Sequence, residues 1–353
     1  MPTLPSRYHP TGASSSGGMG SVVICVDEIL DRQVAIKSIH TTTHRRRMQD
    51  ELAALLKMRS KHVVQIYDIL RFAGDDISLV QEFIDGQDLF EGRKIPSSNE
   101  EYYKLLWQIA SGISDIHAVG VIHRDIKPNN MKIDPEGVIK IFDFGLARED
   151  GPSAETLGFV GTRGFGAPEL FAHRARFTNA IDTYAFGATA LYLATVSLPD
   201  ELMALPPIPS ASGYFSGVGL SLPAEVVATL DSCLSVAPED RPSMSVVRDV
   251  LARQLLFDRH QALVVFQETA SYLNSTNRSV DLDLPGVGRV EISYDGLNFC
   301  VTTVSGEVFI NNRAVGLGDI LPGSCVVALG SPERRANFRK FITFDLSHPE
   351  IVL

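Results

Sequence analysis

The stretch that decides the reading is His123-Arg124-Asp125-Ile126-Lys127-Pro128-Asn129-Asn130, followed shortly by Asp143-Phe144-Gly145. It sets two carboxylates, a lysine and a carboxamide on two closely spaced segments. Phosphoryl transfer from a metal-bound nucleotide to a hydroxyl needs this set. One group orients the hydroxyl, others hold Mg²⁺, and a cation balances the phosphate charge. Residue identity and spacing together carry far more information than any one of these residues alone.

Working outward, the 353 residues are enough for one large domain and a smaller one, and 44% hydrophobic content supports real cores. The net charge of −10 argues against non-specific binding to nucleic acid or anionic membrane. Arg45-Arg46-Arg47 is the one local basic run, and it reads as a solvated helix turn. The four cysteines, Cys25, Cys233, Cys300 and Cys325, are scattered, which speaks against structural zinc and for reduced thiols. The chain shows no signal-peptide pattern and no run of about 18 apolar residues. The expectation is a cytoplasmic protein with no nucleic-acid or membrane partner.

Residues 1–14 read as a loose lead-in. Strand-like runs follow at Val22–Cys25, Val34–Lys37, Val63–Leu70 and Ile77–Phe83, with a helix expected over 45–59. Ser97, Ser98 and Asn99 ahead of Glu100 and Glu101 predict a helix start, with the helix running to Ala118. Residues 180–196 and 223–257 read as helical. One more helix is expected through Tyr272. Short β-like runs then appear at Arg289–Ser293, Phe299–Val304, Val308–Ile310, Cys325–Leu329 and Phe341–Phe344, at a spacing that suggests a small β-sandwich.

From residue 8 to 257 the motifs, in order and spacing, resemble a protein kinase catalytic domain of the eukaryotic-like (Hanks) type found in bacteria. The resemblance implies an α+β, two-lobe fold within residues 1–257, with a β-rich N-lobe over 8–85 and a helical C-lobe over 86–257. A helical connector over 258–278 and a small β-rich domain over 279–353 would follow. Ser15-Ser16-Gly17-Gly18-Met19-Gly20-Ser21-Val22 is similar to the phosphate-covering loop, with Ser15 where the family carries its first glycine. Glycines there let backbone N–H groups approach phosphates closely. Ser15, Gly17, Gly18, Gly20 and Val22 are therefore candidate nucleotide contacts.

Lys37 would pair the α- and β-phosphates, with Glu51 as its ion-pair partner. The distance from Glu51 to His62 exceeds the family pattern by two residues. Leu79–Gly86 resembles the hinge, which would put adenine against the backbone of Glu82 and Ile84, with Gln81 behind it. Asp125 would take the acceptor hydroxyl's proton, and Lys127 would neutralise the migrating phosphoryl group. Asn130 and Asp143 would hold Mg²⁺, with Mn²⁺ as a substitute, and ATP is the implied phosphoryl donor. His123, Asp182 and the pair Glu169–Arg241 are implied as structural supports.

Lys127 together with Gly161-Thr162 resembles the serine/threonine class, so the implied substrate is a protein hydroxyl. Arg124 implies a phosphorylated activation segment, with Thr156 first and Ser153 second as self-modified positions after self-association in trans. Phosphorylation of Ser14, Ser15 or Ser16 would repel ATP. The alternative reading is a catalytically weak pseudokinase serving as a regulatory scaffold.

Residues 279–353 carry a fainter resemblance to a forkhead-associated domain, through Gly306–Asn311, Gly318–Gly323 and Val326–Gly330. Arg289, Ser305 and Asn311 are the partial matches to that family's phosphothreonine contacts. The usual Ser-Arg-x-x-His segment is missing, which favours a packing or dimerisation role.

Overall fold

The computed structural model describes residues 4–17, 20–39, 52–53, 55–72, 77–90, 95–144, 163–172, 177–266 and 269–352. It divides into two compact units, Met1–Leu251 with Leu353, and Ala252–Val352.

The first unit opens with five antiparallel strands, β1 (Tyr8–Gly17), β2 (Gly20–Asp27), β3 (Arg32–Ile39), β4 (Ile66–Arg71) and β5 (Ile77–Glu82), in the order β1-β2-β3-β5-β4. The expected loose lead-in is therefore ordered from Tyr8 onward. Tyr8 is buried against Cys25, Val34, Ile36 and Val80, and it pairs in register with Asp27. Asp27 is buried and takes both arms of the Arg7 guanidinium at 2.6 Å, a fork geometry that satisfies the carboxylate on leaving water. Leu52 and Leu55, both buried, sit in helical backbone within the expected 45–59 helix.

The helical part begins at α1 (Asn99–Ala118). Ser98 caps it by accepting from Glu101 N–H at 3.2 Å, and the Glu101 carboxylate reaches back to Ser97 N–H at 2.7 Å. That reciprocal arrangement satisfies two donors that a helix start leaves open. α2 (Asn179–Thr195) is buried along nearly its whole length, consistent with a sequence apolar on every side. α3 (Asp200–Met203), α4 (Ala224–Cys233) and α5 (Met244–Leu256) complete the helical part. A short sheet, β6 (Gln87–Asp88), β7 (Met131–Ile133) and β8 (Ile139–Ile141), carries the segments on either side of the decisive motif. Gly86 is required by close approach: a Cβ there would stand 2.2 Å from the carbonyl oxygen of Ile133.

Past the end of α5, the second unit is built on two β-sheets, with a short 3-10 turn at Ala336–Phe338. One sheet has the order β10-β9-β17-β16-β14-β15, built from β9 (Ala262–Phe266), β10 (Thr269–Leu273), β14 (Val308–Ile310), β15 (Arg313–Ala314), β16 (Cys325–Leu329) and β17 (Lys340–Leu346). The other is the meander β11 (Ser279–Leu284), β12 (Gly288–Tyr294) and β13 (Phe299–Gly306). Both sheets feed one core that includes Val264, Val327 and Phe344 from the first and Leu282, Ile292 and Val301 from the second. The helical connector expected over 258–278 is corrected. Helix α5 ends at Leu256, and Ala262–Leu273 forms an antiparallel pair inside this core. Two-sheet layering begins there rather than at residue 279.

Candidate active site

The decisive motif lies between α1 and β7. Asp182, from the first turn of α2, is fully buried and organises it. Its Oδ2 accepts from the His123 backbone N–H at 2.8 Å and faces His117 Nε2 at 2.9 Å, while Oδ1 accepts from the Arg124 backbone N–H at 2.8 Å. A buried carboxylate is tolerated only with such donors around it. Arg124 stands in the left-handed region at φ 68°, which costs an ordinary residue roughly 1–2 kcal/mol. The bond to Asp182 holds that conformation. His117, on the last turn of α1, is a partner the sequence reading missed. Its signal was a lone histidine at a helix C-terminus, facing an acid at the start of another helix.

His123 is buried and in one tautomer. Its Nδ1 accepts from the Asp125 backbone N–H at 3.3 Å, so Nε2 carries the proton and donates to the Phe142 carbonyl at 3.1 Å. The ring lies 4.8 Å from that of Phe144. This structural histidine joins the loop of residues 123–130 to the segment that carries Asp143.

Asp125, Lys127 and Asn130 converge. Asp125 is buried, and its Oδ2 receives Lys127 Nζ at 3.0 Å and Asn130 Nδ2 at 2.9 Å. Asn130 Nδ2 also donates to the Asp125 carbonyl at 2.8 Å, which leaves the hard oxygen Oδ1 as the amide's other pole. Asp143, at φ 65°, meets Lys37 Nζ in a salt bridge. Lys37 comes from β3, in register with Val22 on β2 and Leu79 on β5. Cation and carboxylate thus reach a common point from the β-rich and helical parts.

The fit to a divalent cation can be judged from these donors. Asp143 contributes a carboxylate and Asn130 a carboxamide oxygen, both hard oxygen donors that suit Mg²⁺ when substrate phosphates and water fill the remaining positions. Among the described residues no group of three or more His, Cys, Asp or Glu forms a self-sufficient metal cage. The residues fit a metal that arrives with a phosphate ligand.

The β1–β2 hairpin brings Ser15 opposite Val22 and Gly17 opposite Gly20. Gly18, Glu51, Ser153, Thr156 and Thr162 lie outside the described residues, as do the side chains of Ser14, Ser15 and Ser16. The expected Lys37–Glu51 pair is therefore not among the described contacts. Ile84 is largely buried, and its carbonyl faces Lys132 Nζ at 3.4 Å.

The region behind Glu82 was also missed in the sequence. The Glu82 carboxylate pairs with Lys140 Nζ of β8 at 2.7 Å and accepts from the Gln65 backbone N–H at 3.1 Å, while Glu82 N–H donates to the Gln65 carbonyl at 2.9 Å. The neighbouring backbone is stitched to β8, Val64 N–H to Ile141 O at 2.8 Å and Ile141 N–H to His62 O at 2.9 Å. Segment 62–65 thus splices the strand carrying Glu82 to the strand leading into Asp143. His62 is buried edge-on to Trp107, with Nδ1 at 3.2 Å from the Ile139 carbonyl, and burial pushes its pKa down to about 4. A lysine in the otherwise buried strand Ile139-Lys140-Ile141 was the available signal.

Farther along, Arg241 forks onto Glu169 at 2.7 and 2.8 Å and also donates to the carbonyls of Ser235, Ala180 and Val236. The expected long-range bridge is present. In the second unit, Arg289 pairs with Asp281 at 2.6 Å, and Asn311 Oδ1 accepts from Val326 N–H at 3.0 Å. Ser305 is the register partner of Arg289.

The family described as "Protein kinase domain" matches residues 13–255. Mitogen-activated protein kinase 12 of Danio rerio is 34% identical over 196 residues, 52% of this chain and 53% of that protein. Mitogen-activated protein kinase 12 of Mus musculus is 34% identical over 192 residues, 51% of each. Mitogen-activated protein kinase 14 of Xenopus laevis is 30% identical over 202 residues, 54% of this chain and 55% of that protein. The chain spans about half the length of these relatives.

Proposed function

The chain belongs to the protein kinase family, and from that premise we propose that it transfers the γ-phosphate of ATP to serine or threonine hydroxyls of proteins. The observation that carries this reading is the Asp125 carboxylate, buried yet held by Lys127 and Asn130 through one oxygen. In this role Asp125 orients the acceptor hydroxyl and takes its proton as the bond to phosphorus forms, and Lys127 offsets charge on the migrating group. Asn130 Oδ1 and the Asp143 carboxylate hold Mg²⁺, and Lys37 meets the α- and β-phosphates. When bound, the metal neutralises charge on the phosphate oxygens. Gly17, Gly18 and Gly20 bring backbone N–H groups to the phosphates, and the Glu82 and Ile84 backbone receives adenine. Protein acceptors are supported by the relatives' names, and the serine/threonine class by Lys127 and Thr162.

The test is phosphate incorporation from radiolabelled ATP by the full chain, into itself and into a generic protein acceptor. Asp125→Ala should lose about 10²–10⁴-fold in rate while still binding nucleotide. Equal labelling by both proteins would defeat the reading, and a wild type that binds ATP without transferring phosphate would favour the pseudokinase. Phosphopeptide mapping of the same samples should find Thr156 first and Ser153 second.

For residues 252–352 the reading is a forkhead-associated-like module used for packing or self-association. Two of its three candidate phosphothreonine contacts, Arg289 and Asn311, are engaged internally. A phosphothreonine peptide from the activation segment should leave the module's melting temperature unchanged.

A further inference from the structure

The two sheets of the second unit turn different faces outward. On β11 and β12 the outward positions are Asp281, Asp283, Arg289, Glu291 and Ser293, alternating with core residues as on a solvated sheet. The six-stranded sheet should show the same pattern and does not. Its outward positions include Tyr272, Phe341, Val265 and Val326, exposed by 53%, 52%, 40% and 37%. They belong to one surface by register. Val326, Thr343, Val265 and Ala270 form one cross-strand row, and Phe341, Ala328 and Phe309 form the next. Apart from Thr343 and Asp345 on β17 and the buried Ala328, this outer face is apolar across five strands, as a docking surface is, and the polar meander within the same unit is its internal control.

The charges on this face indicate what covers it. The Arg339 guanidinium lies over the Phe341 ring at 4.8 Å. Phe341, Thr343 and Asp345 then follow along β17 at alternate positions, and Asp345 accepts from Ser324 Oγ at 2.8 Å. Arg339, just ahead of β17 and donating through Nε to the Gly330 carbonyl at 3.1 Å, thus lines up a cation with the strand's aromatic ring, small residue and anion. This sequence is complementary to its own reverse. A second copy laid face to face, with its β17 antiparallel, puts Arg339 of each over Asp345 of the other. The same register puts each Phe341 over the small Thr343 of its mate. Both matches follow from one twofold relation, as an isologous interface requires.

We propose that this chain self-associates through the outer face of the six-stranded sheet, with the same face of a second copy as the occupant. This gives a surface to the self-association read above for the second unit and rests on that reading. It would bring two catalytic units together in one particle, the arrangement that phosphorylation in trans needs.

Sedimentation velocity of the full-length protein, from sub-micromolar to about 100 μM, tests the proposal. The wild type should move from one chain to two. Phe341→Glu and Val265→Glu should each weaken association at least tenfold with folding intact by circular dichroism, since both side chains are already exposed. Arg339→Asp and Asp345→Arg should each weaken it, and the double variant should recover most of the loss. Glu291→Arg on the polar sheet should change nothing. A wild type that stays a single chain throughout overturns the proposal together with the self-association reading. A dimer indifferent to Phe341→Glu and Val265→Glu overturns this face alone.

Discussion

Charge is handled differently in two regions of this molecule. Around the loop of residues 123–130, Asp182 is fully buried among three donors, and farther along Arg241 is buried with a carboxylate and three carbonyls as acceptors. In the second unit, Arg289–Asp281 and Arg334–Glu307 sit at the surface with both partners well exposed. Buried ion pairs are weak evidence for stability, because desolvation offsets much of the attraction. Their value here lies in fixing backbone: Asp182 holds Arg124 in a left-handed conformation and so sets Asp125. The exposed pairs fix little and contribute little. Position relative to solvent, rather than the count of bridges, separates machinery from surface.

Substitutions can break that contrast. The largest stability effect should come from Arg241→Ala, which leaves Glu169 without its fork. A loss of about 3–5 kcal/mol, read by chemical denaturation, is expected for a broken buried pair. A loss below about 1 kcal/mol would place this bridge with the surface pairs.

His62 comes next. Its folded pKa of about 4 lies below the ordinary histidine value, so the unfolded chain binds the extra proton first as pH falls. Stability should therefore decline from about pH 6.5 down to about pH 4. His62→Gln should remove that slope, and an unchanged slope would show that other groups cause it.

Lys140→Met tests the splice behind Glu82. It should raise KM for ATP several-fold with a smaller change in kcat, and Glu82→Lys with Lys140→Glu should restore part of it. A change in melting temperature alone, with KM unmoved, would reduce the pair to a structural role.

The smallest effect belongs to Arg334→Gln. Arg334 and the Ser331 N–H hold the Glu307 pKa down to about 2. The pair's contribution is thus present above the ordinary glutamate pKa and fades as pH falls through about 2. Wild type and variant should melt within a few degrees of each other at neutral pH and converge in strong acid.

Much of this was legible in the sequence. The start of α1 followed from Ser98 and Glu101, because capping is a contact between near neighbours. The grouping of Asp125, Lys127 and Asn130 followed from residue types at close spacing. Two expectations failed for identifiable reasons. Ala262–Phe266 is an apolar run without alternation, which periodicity alone cannot assign to strand or helix. It lacks alternation because the outer face of its sheet is apolar as well as the inner. Tyr8 looked like part of a polar lead-in because its burial depends on strands further along the chain.

The sequence by itself determined the chemistry: which groups are present, in what order, and which short segments carry them. Those are local facts, set by covalent spacing and side-chain identity. Only the tertiary structure decided what surrounds each group. His117 reaches Asp182 across 65 residues, Lys140 reaches Glu82 across 58, and Val326 and Val265 come to flank Thr343 through strand register. Solvation and pairing depend on neighbours in space, and a linear pattern does not record which residues those neighbours are.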